Sequence, residues 1–119
     1  MPNSTPLHAR PIYEIKADLF KALAHPARVR ALEVLSDGEL SVGQLQPLVG
    51  LEASHLSQQL AVLRRAGLVS TRKEGASVIY AIRHPELAEL LAVAKRLLIS
   101  SLARSEDLLR DLRAGAPTG

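Results

Sequence analysis

The chain has no cysteine and no tryptophan, and only one phenylalanine and two tyrosines in 119 residues. Without cysteine there is no disulfide, no thiolate metal ligand and no thiol redox chemistry. An aromatic fraction of 3% against a hydrophobic fraction of 47% means an aliphatic core of Leu, Val, Ile and Ala. It also leaves few platforms on which unpaired bases stack, which argues against single-stranded RNA as a ligand. No apolar run approaches the ~20 residues of a membrane span. The first ten residues, MPNSTPLHAR, lack the apolar segment of a secretory signal. The expectation is a cytoplasmic protein with no membrane partner. The signatures of catalysis are missing too: there is no P-loop, no Gly-rich dinucleotide fingerprint, no HExxH and no nucleophile elbow, so no enzyme is expected.

The charge present is unevenly placed. Net charge is +3, and residues 51–83 hold Arg64, Arg65, Arg72, Lys73 and Arg83 against only Glu52 and Glu74. The rest of the chain is balanced, so the whole basic surplus falls in one stretch. Such clustering is the electrostatic footprint of a polyanion partner.

Residues 1–11 hold three prolines and small polar residues, and read as a flexible arm. Ile12, Ile15, Leu19 and Leu23 recur at helical spacing and give a first helix. It stops at His25-Pro26, because the residue before proline is pushed out of the α region. Pro26 then opens a second helix through Val29, Leu32 and Leu35. Ser41-Val42-Gly43-Gln44 has the capping-box form. The short helix that follows is expected to turn Leu45, Leu48 and Val49 inward, with Pro47 kinking or shortening it. The next helix, over about 53–66, buries Leu56, Leu60 and Leu63. Strands over 68–72 and 77–83 follow, the second alternating Val78, Tyr80 and Ile82 against Ile79 and Ala81, with Glu74-Gly75 as the turn between them. One long helical pattern fills 85–113, and residues 114–119 read as a tail.

The predicted fold class is mainly α: a winged helix-turn-helix of four to five helices plus a two-stranded β-hairpin wing, occupying residues 12–113. In that layout the second helix of the pair enters the major groove and the hairpin reaches the flanking backbone. With the three leucines facing the core, the opposite stripe of that helix is Ser54, Gln58, Ala61 and Arg65, flanked by His55 and Ser57. Ser, Gln and Arg suit hydrogen bonds to base edges and phosphates, and Ala61 is small enough to let the helix sit close. Any exposed amphipathic helix turns small polar residues outward, so the basic hairpin with Arg72 and Lys73 carries the rest of this reading.

The runs LFKALAHPARVRALEVL, ELSVGQLQPLVGLEASHLSQQLAVLRRAGLV and STRKEGASVIYAI resemble the ArsR/SmtB family of bacterial winged-helix repressors over roughly residues 12–91. The resemblance implies a dimer formed by the first and last helices, with two recognition helices reading a palindromic operator in double-stranded DNA. It implies Ser54, His55, Ser57 and Gln58 as base-reading residues and Arg72 and Lys73 as wing contacts. Glu52 departs from the pattern, since the family often places Ser or Thr there. That weakens the helix cap and sets a negative charge near the DNA.

The last helix supports a dimer by itself. Its leucines, among them Leu90, Leu91, Leu97, Leu98 and Leu102, fall on one arc of a helix about 43 Å long at 1.5 Å per residue. One small domain cannot cover such a stripe, so part of it is expected to meet a second copy, and the resemblance adds Ile12, Ile15 and Leu19 of the first helix to the expected helical dimer interface. A break near Ser100-Ser101 that folds the end back is the alternative.

Members of the family often bind an inducing metal through cysteines or through Asp, His and Glu between the terminal helices. Here Ser41 stands at the thiolate position, and the last helix has no histidine after His84. His84, Glu86 and His8 remain as candidate ligands for nickel, zinc or cobalt, which accept imidazole and carboxylate. The competing reading makes His25 and His84, both before proline, polar helix-start residues. The functional expectation is a sequence-specific, homodimeric transcriptional regulator, with metal responsiveness attached to those three residues. The alternative is a winged-helix protein-interaction module that acts through a partner protein and binds DNA weakly or not at all.

Overall fold

The computed structural model describes residues 9–114. Five helices and three short strands follow one another as α1 (Ile12–Leu23), α2 (Pro26–Leu35), β1 (Leu40–Ser41), α3 (Val42–Val49), α4 (Ala53–Arg65), β2 (Val69–Glu74), β3 (Ser77–Ile82) and α5 (Pro85–Arg113). The chain divides into a compact unit ending at Ala88 and a second one from Glu89 onward, whose described residues are the remainder of α5 and Ala114.

In the first unit α2, α3 and α4 pack on one another, and the side chains between them are aliphatic, as the shortage of aromatics requires. Leu32, Leu45, Leu56, Leu60 and Leu63 have no exposed surface, and Ala31 lets the backbones approach. Two of the helices begin at side-chain caps. At α2 the Nδ1 of His25 accepts the backbone N–H of Ala27 at 3.1 Å, with Pro26 at the first helical position. His25 is thus a helix-start residue. At α3 the capping box forms: Ser41 Oγ accepts from Gln44 N at 3.2 Å and Gln44 Oε1 accepts from Ser41 N at 2.9 Å. Pro47 lies inside α3, and the helix ends two residues later. At α4 the cap position is Glu52, which makes no side-chain capping bond. Arg10, assigned from the sequence to the arm, donates to Asp18 at 2.7 Å and to Glu14 at 3.4 Å on α1. Its hydrogen bond holds the Asp18 carboxyl below the ordinary range.

The sheet is antiparallel in the order β1-β3-β2, so the expected two-stranded wing gains a third, two-residue strand. Leu40 pairs with Tyr80 and Ser41 with Ile79. The hairpin turn also falls one residue later than expected. Glu74 pairs with Ser77, which leaves Gly75-Ala76 as the loop. Gly75 has φ +60° and, among the described residues, no non-glycine residue has positive φ, so Gly75-Ala76 has the pattern of a type II′ turn with glycine first. A further difference concerns α3. Leu45 is buried and Val49 half-buried on one stripe, whereas Leu48 lies to its side and is exposed.

The described part of the second unit is a single helix. α5 runs without interruption through Ser100 and Ser101, so the break considered from the sequence is absent. From Val93 to Leu112 its large apolar side chains are exposed, Leu97 to 69%, Leu98 to 62% and Leu102 to 63%. On α1, Ile12 is exposed and Ile15 and Leu19 are half-buried, as are Leu90 and Leu91 on α5. Tyr13 and Phe20 are exposed on α1 as well, a second apolar patch that the stripe of Ile12, Ile15 and Leu19 does not include.

Leu60→Ala is expected to cost about 2–5 kcal/mol, because a fully enclosed side chain leaves a cavity. Leu48→Ala should stay within about 1 kcal/mol. Chemical denaturation at fixed protomer concentration measures both, and equal costs would contradict the assignment of the core.

Candidate nucleic-acid interface

The column Leu56, Leu60 and Leu63 fixes the rotation of α4 about its own axis. All three side chains have no exposed surface, so the opposite stripe is turned to solvent. Ser54, His55, Ser57, Gln58 and Arg65 are exposed and Ala61 is half-buried. Arg64 is exposed beside them. The rotation has a second restraint that the sequence did not suggest. Arg28 donates from Nη1 to Gln59 Oε1 at 3.0 Å and from Nε to the carbonyl of Ala22 at 2.7 Å. One guanidinium therefore ties the flank of α4 to the last turn of α1. The turn between α3 and α4 opens at Gly50, whose φ of +83° closes α3 in the left-handed conformation.

Glu52 sits at the start of the outward stripe. Ser54 Oγ donates to its carboxylate at 3.3 Å, and His55 Nε2 lies 3.8 Å from the same oxygen. Two of the residues expected to read bases are thus in contact with an acid on the face expected to meet DNA.

Strand alternation sorts the wing. β2 and β3 pair Thr71 with Tyr80 and Lys73 with Val78, which places these side chains on one sheet face with the buried Val69. Arg72, paired with Ile79, is on the other face with Ser70 and Glu74. There its guanidinium bonds to Glu39, from the segment before β1, and to Glu74. The two carboxylates, Glu39 foremost, raise its pKa well above the already high arginine range. One cation between two anions leaves the cluster net negative, so Arg72 reaches a phosphate only by giving up these partners. Lys73 has no carboxylate partner among the described residues.

Between the end of α4 and β3 lies an open groove of about 380 Å³ lined by Ala61, Arg64, Arg65 and Tyr80. Sequence reasoning placed Arg65 and Ala61 on the interface but missed Arg64 and Tyr80. The alternation of Val78, Tyr80 and Ile82 marked a strand without showing what faces Tyr80.

The metal candidates do not form a site among the described residues. No group of three or more His, Asp or Glu able to hold an ion occurs there. His84 and Glu86 are exposed at the start of α5, and His8 lies outside the described residues. No helix among the described residues is long and apolar enough to cross a membrane.

A helix pair closed by a left-handed glycine, with a polar outward stripe on its second helix and an antiparallel hairpin beside it, defines a winged helix-turn-helix transcriptional regulator. The family model "Bacterial regulatory protein, arsR family" matches residues 25–71, which run from the cap of α2 into β2. The uncharacterized HTH-type transcriptional regulator Rv0081 of Mycobacterium tuberculosis is 53% identical over 110 residues, 92% of this chain and 96% of that protein. Its crystal structure superposes with a TM-score of 0.73, covering 82% of this chain and 98% of the other. The transcriptional activator HlyU of Vibrio cholerae is 46% identical over 79 residues, 66% of this chain and 73% of that one. A solution structure from Mycobacterium bovis, described as a homodimeric winged helix-turn-helix DNA-binding domain, matches with a TM-score of 0.72 at 26% identity, over 86% of this chain and 94% of that one. The chain belongs to the arsR family of bacterial regulatory proteins.

Freeing Arg72 tests the charge assignment. Glu39→Gln together with Glu74→Gln is expected to tighten binding to random duplex and to steepen the salt dependence by about 0.9, the slope of one added phosphate contact. An unchanged slope would show that Arg72 does not reach the backbone even when released.

Proposed function

We propose that the protein acts in the cytoplasm as a homodimer that binds a palindromic operator in double-stranded DNA and regulates transcription from it. The observation that carries this is the fixed rotation of α4. The buried leucine column presents Ser54, Ser57, Gln58 and Ala61 outward on the second helix of the pair, where a recognition helix meets base edges. Gln58 is suited to bidentate contact with adenine, and Ser54, His55 and Ser57 to single hydrogen bonds. Arg65 and Lys73 supply phosphate contacts that set register, and Arg72 joins them when it leaves its carboxylates. The exposed leucines of α5, with Ile12, Ile15 and Leu19, supply the dimer surface. Two-fold symmetry then places half-sites about 34–36 Å apart, one turn of the duplex.

Selection of binding sites from random duplex tests this reading, with Gln58→Ala alongside the wild type. The variant is expected to lose about 1–3 kcal/mol of discrimination at one position of each half-site. Uniform weakening across all sequences would make Gln58 a backbone contact. Absence of any salt-dependent duplex binding by the wild type would favour the interaction module that works through a partner protein.

A response to nickel, zinc or cobalt would draw His84 and Glu86 together with donors from a second protomer or from outside the described residues. Calorimetric titration with nickel on the full chain is then expected to lose its heat in His84→Ala. Equal binding by both would remove His84 from any such site.

A further inference from the structure

The groove at the seam of α4 and the wing has the composition of an anion seat. Arg64 and Arg65 are adjacent and exposed, and neither meets a carboxylate among the described residues. In the first unit Arg10, Arg30 and Arg72 meet acids and Arg28 is bonded to Gln59 and to backbone carbonyls, whereas Arg83 also meets no acid among the described residues but does not line the groove. Tyr80 is half-buried in the groove wall, and its hydroxyl is not buried without a partner. Ala61 keeps the space open, since any larger side chain at this position would project into it. The carbonyl end of α4 opposes an anion with roughly half a negative charge, which two full guanidinium charges outweigh.

Position gives the seat its meaning. Ala61 and Arg65 continue the stripe of Ser54 and Gln58 along α4, and Tyr80 shares a sheet face with Thr71 and Lys73. The groove therefore lies at the edge of the surface proposed to read bases. We infer that it seats one phosphodiester of the DNA strand flanking the base contacts, with Arg64 and Arg65 bracketing the two non-bridging oxygens and the Tyr80 hydroxyl donating to one of them. The seam then anchors the wing to the backbone together with Lys73, even while Arg72 stays with its carboxylates. This rests on the DNA-binding reading above and adds Arg64 and Tyr80 to it. A free phosphate offers the same chemistry, and the experiment separates the two sources.

The selected operator is synthesised with neutral methylphosphonate in place of one phosphate at a time, and affinity is measured for full-length wild type, Arg64→Ala, Tyr80→Phe and Ala61→Leu. The wild type is expected to lose affinity at one flanking phosphate of each half-site. Ala61→Leu, which fills the groove, should be insensitive to substitution there, and Arg64→Ala, which leaves Arg65 and Tyr80 in place, should be less sensitive than the wild type, with a salt slope lower by up to about 0.9 and its base preference unchanged. Tyr80→Phe should reduce the sensitivity without changing the slope. Circular dichroism melting checks that each variant folds, and Arg64→Ala, altering an exposed side chain, serves if Ala61→Leu does not. A wild type that selects an operator while Arg64→Ala keeps the same slope and the same methylphosphonate profile would overturn the inference and leave the DNA-binding reading standing. A wild type that selects no operator would overturn both. Calorimetry with inorganic phosphate on the DNA-free protein closes the test: saturable binding that Arg64→Ala abolishes, with no flanking methylphosphonate effect, would assign the groove to a free phosphate and overturn the DNA-strand assignment.

Discussion

The rest of the molecule depends on the enclosure of Leu56, Leu60 and Leu63 against α2 and α3. A helix with one fully buried stripe has no rotational freedom, because a turn of one residue would expose leucine and bury Ser, Gln or Arg without partners. That penalty is what presents Ser54, Gln58, Ala61 and Arg65 as a row. Arg28 adds direction to it: by holding Gln59 and two carbonyls of the last turn of α1, it pins the side of α4 that the leucines leave unrestrained. The core needs no aromatic residue for this, since three helices meeting through leucine and alanine can approach closely.

The second governing quantity is where cationic charge is free and where it is committed. A basic surplus over 51–83 predicts attraction for a polyanion, yet a count of charges does not distinguish a lone lysine from an arginine held between two acids. Arg72 is of the second kind, and Glu52 places a further acid against Ser54 and His55. The field at the proposed interface is therefore weaker and more localised than the sequence count implies, with Arg64, Arg65, Lys73 and, beyond β3, Arg83 as the cations of the stretch that meet no acid among the described residues. A regulator with few free cations gains less from the uniform backbone term and leans more on base contacts, and this raises the ratio of specific to random binding.

Much of the fold was legible because its signals are periodic. Leu56, Leu60 and Leu63 at helical spacing, the Ser41–Gln44 capping box and the alternation through Tyr80 each report a local geometry. What was not legible lacks a period or joins distant positions. β1 is two residues long, too short for an alternation, and exists because Leu40 and Ser41 pair with β3. Leu48 looks like a core residue by type, but Leu45 and Val49 take the inward stripe. The turn moved from Glu74-Gly75 to Gly75-Ala76 because Glu74 still pairs with Ser77. At the site, the stripe on α4 was readable from its own helix. Arg72 with Glu39, and Tyr80 with Arg64, were not, since the strand order brings the first pair together and the packing of α4 beside the hairpin brings the second to one groove.

The exposed leucines of α5 connect stability to regulation. Large apolar side chains from Val93 to Leu112 in one helix form a surface that soluble monomers rarely leave bare. If the proposed dimer covers it, folding, association and operator binding share one equilibrium. Dilution then weakens DNA affinity by releasing protomers as well as by mass action on the operator. A ligand bound where the second copy sits would change operator occupancy without touching α4. The sequence places the polar residues proposed to read bases on α4 and a long run of exposed apolar side chains on α5. In the proposed dimer, control through α5 leaves the row on α4 intact while setting how many paired recognition helices are present.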